Sequence, residues 1–368
     1  MVPTSRRPLS RRRFLSATAA GLWLAGGARV SRAEDDPAPS RVRQRAGVEL
    51  ITPETKTAIE RGLNFLVQKQ IARGQHRGAF GTAGYSAGVA VCGLAGLAFL
   101  SSGSAPGRGK YGQALERCLD YLIANTDANG YISAQAQSGT DRMYGHGFAT
   151  LFLAEAYGMG VHADREEVLG KKLRSAVQLI INTQNDQGGW RYQPVKSDAD
   201  LSITICQIMA LRAARDAGLD VPAATRTKCI DYVKKSHGRD GGFMYTLGGG
   251  HTSFALTAAG VVALNSAGIY DGKEVDAGLQ YIMKSKPNGM LEGAHSSFYA
   301  HYYAAQAMWH AGGDQWTQWY TALRDTLLRT QRPGGGWSDP GVGDEFGAAV
   351  GCIVLQLPYN YVPVFSEG

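Results

Sequence analysis

The sequence predicts an all-α (α/α)6 toroid, six αα-hairpin repeats with inner and outer helix rings. Three observations carry this prediction. An apolar helical pattern recurs six times at roughly fifty-residue spacing. Each recurrence ends in a glycine-containing turn with a bulky residue. A second helical stretch, rich in Gly, Ala and Ser, follows each turn. The composition is globular: 368 residues, 44% hydrophobic and 19% charged. The 48 glycines have no collagen period and suit many helix ends.

The elements follow in chain order. Residues 1–33 hold seven arginines (Arg6, Arg7, Arg11, Arg12, Arg13, Arg29, Arg32) and no acid. Ser10-Arg11-Arg12-Arg13-Phe14-Leu15-Ser16 resembles a twin-arginine export motif, and an apolar run from Ala17 to Ala28 follows. That run is too short for a membrane span. Ser31-Arg32-Ala33 places small residues where a signal peptidase reads. Residues 1–33 are therefore expected to be a twin-arginine export signal. The mature chain is expected to be periplasmic or extracellular, with no transmembrane span. Beyond the leader, 31 basic residues balance 31 acidic ones. The net charge of +7 thus belongs to the leader, and nucleic acid is not an expected partner. Residues 34–50, polar and containing Pro37 and Pro39, read as a linker.

The toroid is expected over residues 51–357. Its repeats align at Gly62, Cys118, Ala176, Cys229, Gly278 and Leu323. Eight residues later stand Gln70, Thr126, Gln184, His237, Lys286 and Gln331. The turns are Gly78-Ala79-Phe80, Asn129-Gly130-Tyr131, Gly188-Gly189-Trp190, Gly241-Gly242-Phe243, Asn288-Gly289-Met290 and Gly335-Gly336-Trp337. The first helix of each repeat is amphipathic, as expected on an outer ring. The second helices are expected near 85–102, 143–158, 200–217, 252–267, 297–311 and 345–356. Their small residues suit close packing in an inner ring. Cys92, Cys118, Cys206, Cys229 and Cys352 fall within apolar helical patterns and read as buried thiols. Residues 358–368 contain Pro358 and Pro363 and read as an extended C-terminal tail.

Gln184–Trp190 and Gln331–Trp337 have the form Gln-x-x-x-Gly-Gly-Trp. They resemble the QW motif of the prenyltransferase and squalene cyclase repeat superfamily, the terpenoid cyclase and protein prenyltransferase toroids. The resemblance covers roughly residues 52–357. Gly188-Gly189-Trp190 followed by Asp198-Ala199-Asp200-Leu201-Ser202 is similar to the segment of squalene–hopene cyclases that carries Asp-x-Asp-Asp-Thr. The resemblance implies that Asp200 is the proton donor and Asp198 its partner. Leu201 and Ser202 replace the family's third aspartate and its threonine, and the loss of that aspartate weakens the acid.

Polar residues cluster where inner helices are expected to start and rim a central cavity. Tyr85, Tyr144, His146, Asp198, Asp200, Ser202, His251, His295, Tyr299, His301, Asp344 and Glu345 make up this set. Asp200 and Asp198 are the candidate catalytic pair. His146, Tyr144, Ser202, His251, Tyr299, His301 and Glu345 are candidate ligand-binding residues. Asp and Ser at such positions also cap helices. No metal or other cofactor is expected; His146, His251 and His301 form a weaker alternative metal set. Phe148, Tyr299, Tyr302, Tyr303 and Trp309 read as a cavity lining or as plain core. The expected partner is an apolar, isoprenoid or lipid-like small molecule, with acid chemistry at Asp200. Two alternatives stand beside it. One is a protein-interaction module resembling a thioester domain without its Cys-Gly-Glu-Gln thioester. The other is an (α/α)6 carbohydrate hydrolase or lyase, pairing Asp200 with Asp344 or Glu345 across a cleft.

Overall fold

A computed structural model describes residues 47–81, 87–134, 142–284 and 297–366. The expected leader, most of the linker, Tyr85, His295 and the fifth turn at Asn288-Gly289-Met290 lie outside the described residues. In chain order the helices are α1 (Pro53–Lys69), α2 (Val89–Ser101), α3 (Gly112–Ala124), α4 (Arg142–Ala156), α5 (Ala163–Thr183), α6 (Leu201–Asp216) and α7 (Ala223–Lys235). Strands β1 (Phe243–Thr246) and β2 (Gly249–Ser253) come next, then α8 (Phe254–Ser266), α9 (Lys273–Lys284), α10 (Ser297–Ala311), α11 (Gly313–Thr330) and α12 (Asp344–Gln356).

The even-numbered helices form the inner ring. Each packs on the next, and α12 returns to α2. Burial separates the two rings. All of α6 from Leu201 to Ala214 is buried. On α1 only Thr55, Ala58, Ile59, Gly62, Leu63 and Leu66 are buried, at the spacing of one helical face. Local sequence sets the helix starts. Thr52 caps α1 by accepting from the Thr55 amide, with Pro53 following. Ser253 caps α8 through the Leu256 amide.

Among the described residues, turns tie one repeat to the next. Gly78, Gly130, Gly188, Gly241 and Gly335 all have positive φ, between 87° and 99°. A side chain at Gly78, Gly130, Gly188 or Gly335 would run into a backbone carbonyl of the following outer helix, at Arg117, Ser175, Lys228 or Arg61. Glutamine adds a second tie. The Gln184 amide donates to the Gly188 carbonyl of its own turn and to Thr225 on α7, both at 2.9 Å. Gln70 does the same with Gly78 and Ala114, and Gln331 with Gly335 and Ala58. The last pair joins repeat six to α1 and closes the ring. The indole N–H of Trp190 donates to Ile180, and that of Trp337 to Leu327, each ten residues upstream.

Three expectations are corrected. In repeat two the bulky core residue is Ile132, not Tyr131. Gly130 takes the place of Gly188, so the pattern shifts by one residue. A two-stranded hairpin precedes α8, where a continuous helix from 252 was expected. The tail is not extended: Leu357–Tyr359 and Pro363–Phe365 are short 3-10 turns, and Val362, Val364 and Phe365 are buried. Arg212 of α6 donates to the Ser366 carbonyl and anchors it. All five cysteines are buried free thiols, as expected. Among the described residues no helix is long and apolar enough to cross a membrane.

Candidate functional site

Asp200 stands at the N-terminus of α6. Its amide donates to the Trp190 carbonyl at 3.0 Å, which pins it beside the third turn. Its extended backbone leaves the side chain free to cap the helix. Oδ1 accepts from the Ile203 amide at 2.9 Å and from the Ser202 hydroxyl at 2.6 Å. Oδ2 makes no hydrogen bond, and the nearest cation is Nε of Arg191 at 3.8 Å. The residue is wholly buried. Burial raises its pKa, opposed by the Ser202 hydroxyl, the Ile203 amide, Arg191 and the Tyr245 hydroxyl.

Tyrosines surround this carboxyl. Tyr144 donates to the Ser202 Oγ at 2.5 Å, and Tyr299 donates to the Ser202 carbonyl at 3.1 Å. The Tyr144 and Tyr299 rings meet edge to face at 6.3 Å. Tyr192, after the third turn, lies 6.1 Å from Tyr144, and its hydroxyl meets that of Tyr245 on β1 at 2.5 Å. All four rings are half-buried. They cluster around Asp200 and Ser202 at the start of the inner helices, and this ring of tyrosines is called the bowl below. Burial raises the Tyr144 and Tyr299 pKa values, so both phenols stay protonated.

Below the bowl the lumen is crossed. Repeats two and five stand opposite each other in a six-membered ring. Phe148 of α4 nonetheless meets Tyr302 of α10 at 6.0 Å. The Tyr303 hydroxyl lies 3.3 Å from the Cys206 sulfur of α6. These buried groups make a floor one turn into the inner helices. The aromatic stripe is thus core at this level, and of its members Tyr299 stands at the bowl, beside Tyr144.

The other candidates fall elsewhere. Asp198 is largely exposed and pairs with Arg191 rather than with Asp200. His146 is buried, with Nδ1 accepting from the Ile132 amide and Nε2 against the Ala176 carbonyl, both at 3.2 Å. It has no free nitrogen for a ligand, and desolvation lowers its pKa to about 4. His301 packs on Phe254 and Trp319, away from the bowl, and burial lowers its pKa to about 4. His251 is exposed on β2. The three histidines do not converge. No group of three or more potential metal ligands exists among the described residues. Glu345 is buried in the first turn of α12, where a carboxylate suits the helix dipole. Asp344 pairs with Arg332 at 2.8 Å.

Sequence reasoning missed Arg191, Tyr192 and Tyr245. The signal was present: Arg191-Tyr192 directly follows Trp190, and Tyr245 stands two residues after Phe243.

No protein-family model and no curated protein matches this sequence. Solved structures do match. A type II terpene cyclase, MstE from Scytonema, superposes with a TM-score of 0.56 at 16% identity, covering 84% of this chain and 100% of that one. A variant of it in complex with its substrate, geranylgeranyl dihydroxybenzoate, gives 0.52 at 16% identity, covering 84% and 98%. The fold is that of the terpene-cyclase toroids. An alpha-amylase from Clostridium perfringens shares it as well, with a TM-score of 0.57 at 11% identity over 82% of this chain and 97% of that one. At such identities the likeness is one of fold, and this toroid's chemistry is argued from its own residues.

Proposed function

We propose that this toroid is an exported protein that binds an isoprenoid or lipid-like molecule in the tyrosine bowl, with Asp200 acting on it as a general acid. One observation carries the reading: a wholly buried carboxyl with one oxygen fixed by a helix cap and the other making no hydrogen bond. Burial favours the neutral acid, which holds its proton for an electron-rich double bond. Transfer of that proton leaves a carboxylate on Asp200 and a carbocation on the ligand. The π faces of Tyr144 and Tyr299 stabilise that cation. The MstE complex with a geranylgeranyl substrate supports this ligand class, because the same fold holds it. Asp198, which pairs with Arg191 at the surface, is left out of the proposed proton transfer.

The aromatic floor favours a second reading. A lumen closed one turn below its mouth suits a non-catalytic module that presents a shallow bowl to a partner. The experiment separates the two. Residues 34–368, exported from a suitable host, are examined by native mass spectrometry and organic extraction. A stoichiometric apolar ligand supports the first reading. An empty protein that converts no polyprenyl substrate removes it. Cell fractionation, with Arg11→Lys and Arg12→Lys together as control, tests export.

A further inference from the structure

Two carboxylates compete for one guanidinium beside the bowl. Trp190 and Asp200 pair as an isolated antiparallel bridge, which sets Arg191 beside both Asp198 and Asp200. The Arg191 guanidinium pairs through Nη1 with Oδ2 of Asp198. Its Nε stops 3.8 Å from Oδ2 of Asp200, the oxygen that makes no hydrogen bond. The same guanidinium lies 5.7 Å from the centre of the Tyr192 ring. Solvent decides the competition. The Asp198 side chain is 59% exposed, and that of Asp200 is wholly buried. Moving the guanidinium fully onto Asp200 would strip it of water, whereas Asp198 takes it at the surface without that cost.

The other titratable groups around Asp200 are phenols and a thiol. They are Tyr144 of α4, Tyr192 after the third turn, Cys206 of α6, Tyr232 of α7, Tyr245 of β1 and Tyr299 of α10. Burial pushes the Cys206 thiol up to about 12 and raises the phenols of Tyr144, Tyr232, Tyr245 and Tyr299, so these groups stay neutral. Among the described residues Arg191 is the one cation within ion-pair reach of Asp200. Where its guanidinium sits therefore sets the field at Oδ2.

We propose that Asp198 is a positioning residue: it holds the Arg191 guanidinium toward the surface, off Oδ2 of Asp200, and so leaves that oxygen open to a bound ligand. The use of this arrangement, proton donation by Asp200, rests on the reading given above; the competition between the two carboxylates does not. Without Asp198, the nearest acceptor for the guanidinium is Oδ2 of Asp200. Pairing there favours the carboxylate over the acid and removes the proton that the reaction needs.

The test reads the Asp200 carboxyl itself. The full chain is labelled with aspartate carrying carbon-13 at Cγ. The Asp200 resonance is assigned by its loss in Asp200→Asn, and its chemical shift is followed with pH. In Asp198→Asn its midpoint is expected to fall by about one to three pH units. Adding Arg191→Gln to that variant reverses the fall. Asp198→Glu keeps a partner for the guanidinium and keeps the midpoint of the unmodified protein. A residue that only supported the fold would not give this order, and the exposure of Asp198 lets its variants fold. An unchanged midpoint in Asp198→Asn overturns the proposal. So does a fall that Arg191→Gln fails to reverse, or an Asp200 already ionised throughout the titration of the unmodified protein. Ligand conversion is measured separately. A full rate in Asp200→Asn removes the acid reading and leaves the titration result standing. If the acid reading holds, the pH profile of conversion in Asp198→Asn moves down with the midpoint.

Discussion

Gly188 faces the carbonyl oxygen of Lys228 so closely that a methyl group on its α-carbon would fall within 3.0 Å of that oxygen. Lys228 belongs to α7, the outer helix of the next repeat. The same relation holds between Gly335 and Arg61, across the seam where the last repeat meets the first. The turn glycines therefore do more than end a helix. At Gly78, Gly130, Gly188 and Gly335 they set the distance between repeats, and the seam closes where the sixth turn seats on the backbone of α1.

Gly188→Ala should be severely destabilising. The variant meets both a left-handed φ of 99° and a backbone collision that a flexible side chain cannot relieve. We expect a loss of about 3 kcal/mol in chemical denaturation. Gly218→Ala is the control. Its φ is 88°, but nothing lies within 4 Å. It should lose only about 1 kcal/mol. Equal losses in the two variants would show that conformation alone, not seating, fixes the glycine.

Gln184→Ala should cost about 2 kcal/mol, because two buried carbonyls, at Gly188 and Thr225, lose their donor together. Gln331→Ala should behave alike at the seam between repeat six and α1. Gln178→Ala, whose amide reaches only the neighbouring Asn182 on the exposed face of α5, should change stability by less than about 0.5 kcal/mol. Urea titration of the three variants gives the comparison.

These ties explain why the fold was legible in the sequence. Glycine and a bulky residue recur because their contacts are repeated from turn to turn, and glutamine stands where Gln70, Gln184 and Gln331 bridge to the next outer helix. Repeat two slipped by one residue because Tyr131 is the more conspicuous aromatic, while Ile132 is the one that packs inward. The site was less legible. His146 was read as a ligand from its place near a helix start. Thr204 and Thr257 fill the same role, accepting from Trp190 and Phe243 fourteen residues earlier, as His146 accepts from Ile132. That fourteen-residue spacing marks a structural position. Tyr192 stands in the same segment as Asp200, directly after the third turn. Tyr245 belongs to the next repeat, and it reaches Tyr192 and Asp200 only once those two repeats have packed together.

Asp200→Asn separates capping from chemistry. Asparagine keeps an oxygen for the Ile203 amide and the Ser202 hydroxyl, so stability should change by less than about 1 kcal/mol. Ligand conversion should disappear, since no carboxylic proton remains. Asp200→Ala loses the cap as well and should cost about 1–2 kcal/mol. In the unmodified protein, conversion should decline as pH rises through the raised pKa of Asp200, where the neutral acid is lost. Melting curves and product analysis on the same preparations decide the matter. A full rate in Asp200→Asn removes the acid role.

The two buried histidines make stability depend on pH. Burial lowers the pKa of His146 and His301 from 6.5 to about 4. In the unfolded chain both take up a proton near pH 6.5, while the folded protein resists until about pH 4. The unfolded state thus binds more protons throughout that window, and stability falls as pH falls. Above pH 6.5 both states are neutral and the contribution is complete; below pH 4 the loss is complete. Each histidine accounts for at most about 3 kcal/mol of it. His146→Thr isolates one share. Threonine is what repeats three and four use at that position, so it preserves an acceptor for the Ile132 amide and removes the titration. Urea midpoints followed from pH 7 to pH 4 should fall about half as steeply in this variant as in the unmodified protein. An unchanged slope would place the proton uptake on groups other than His146.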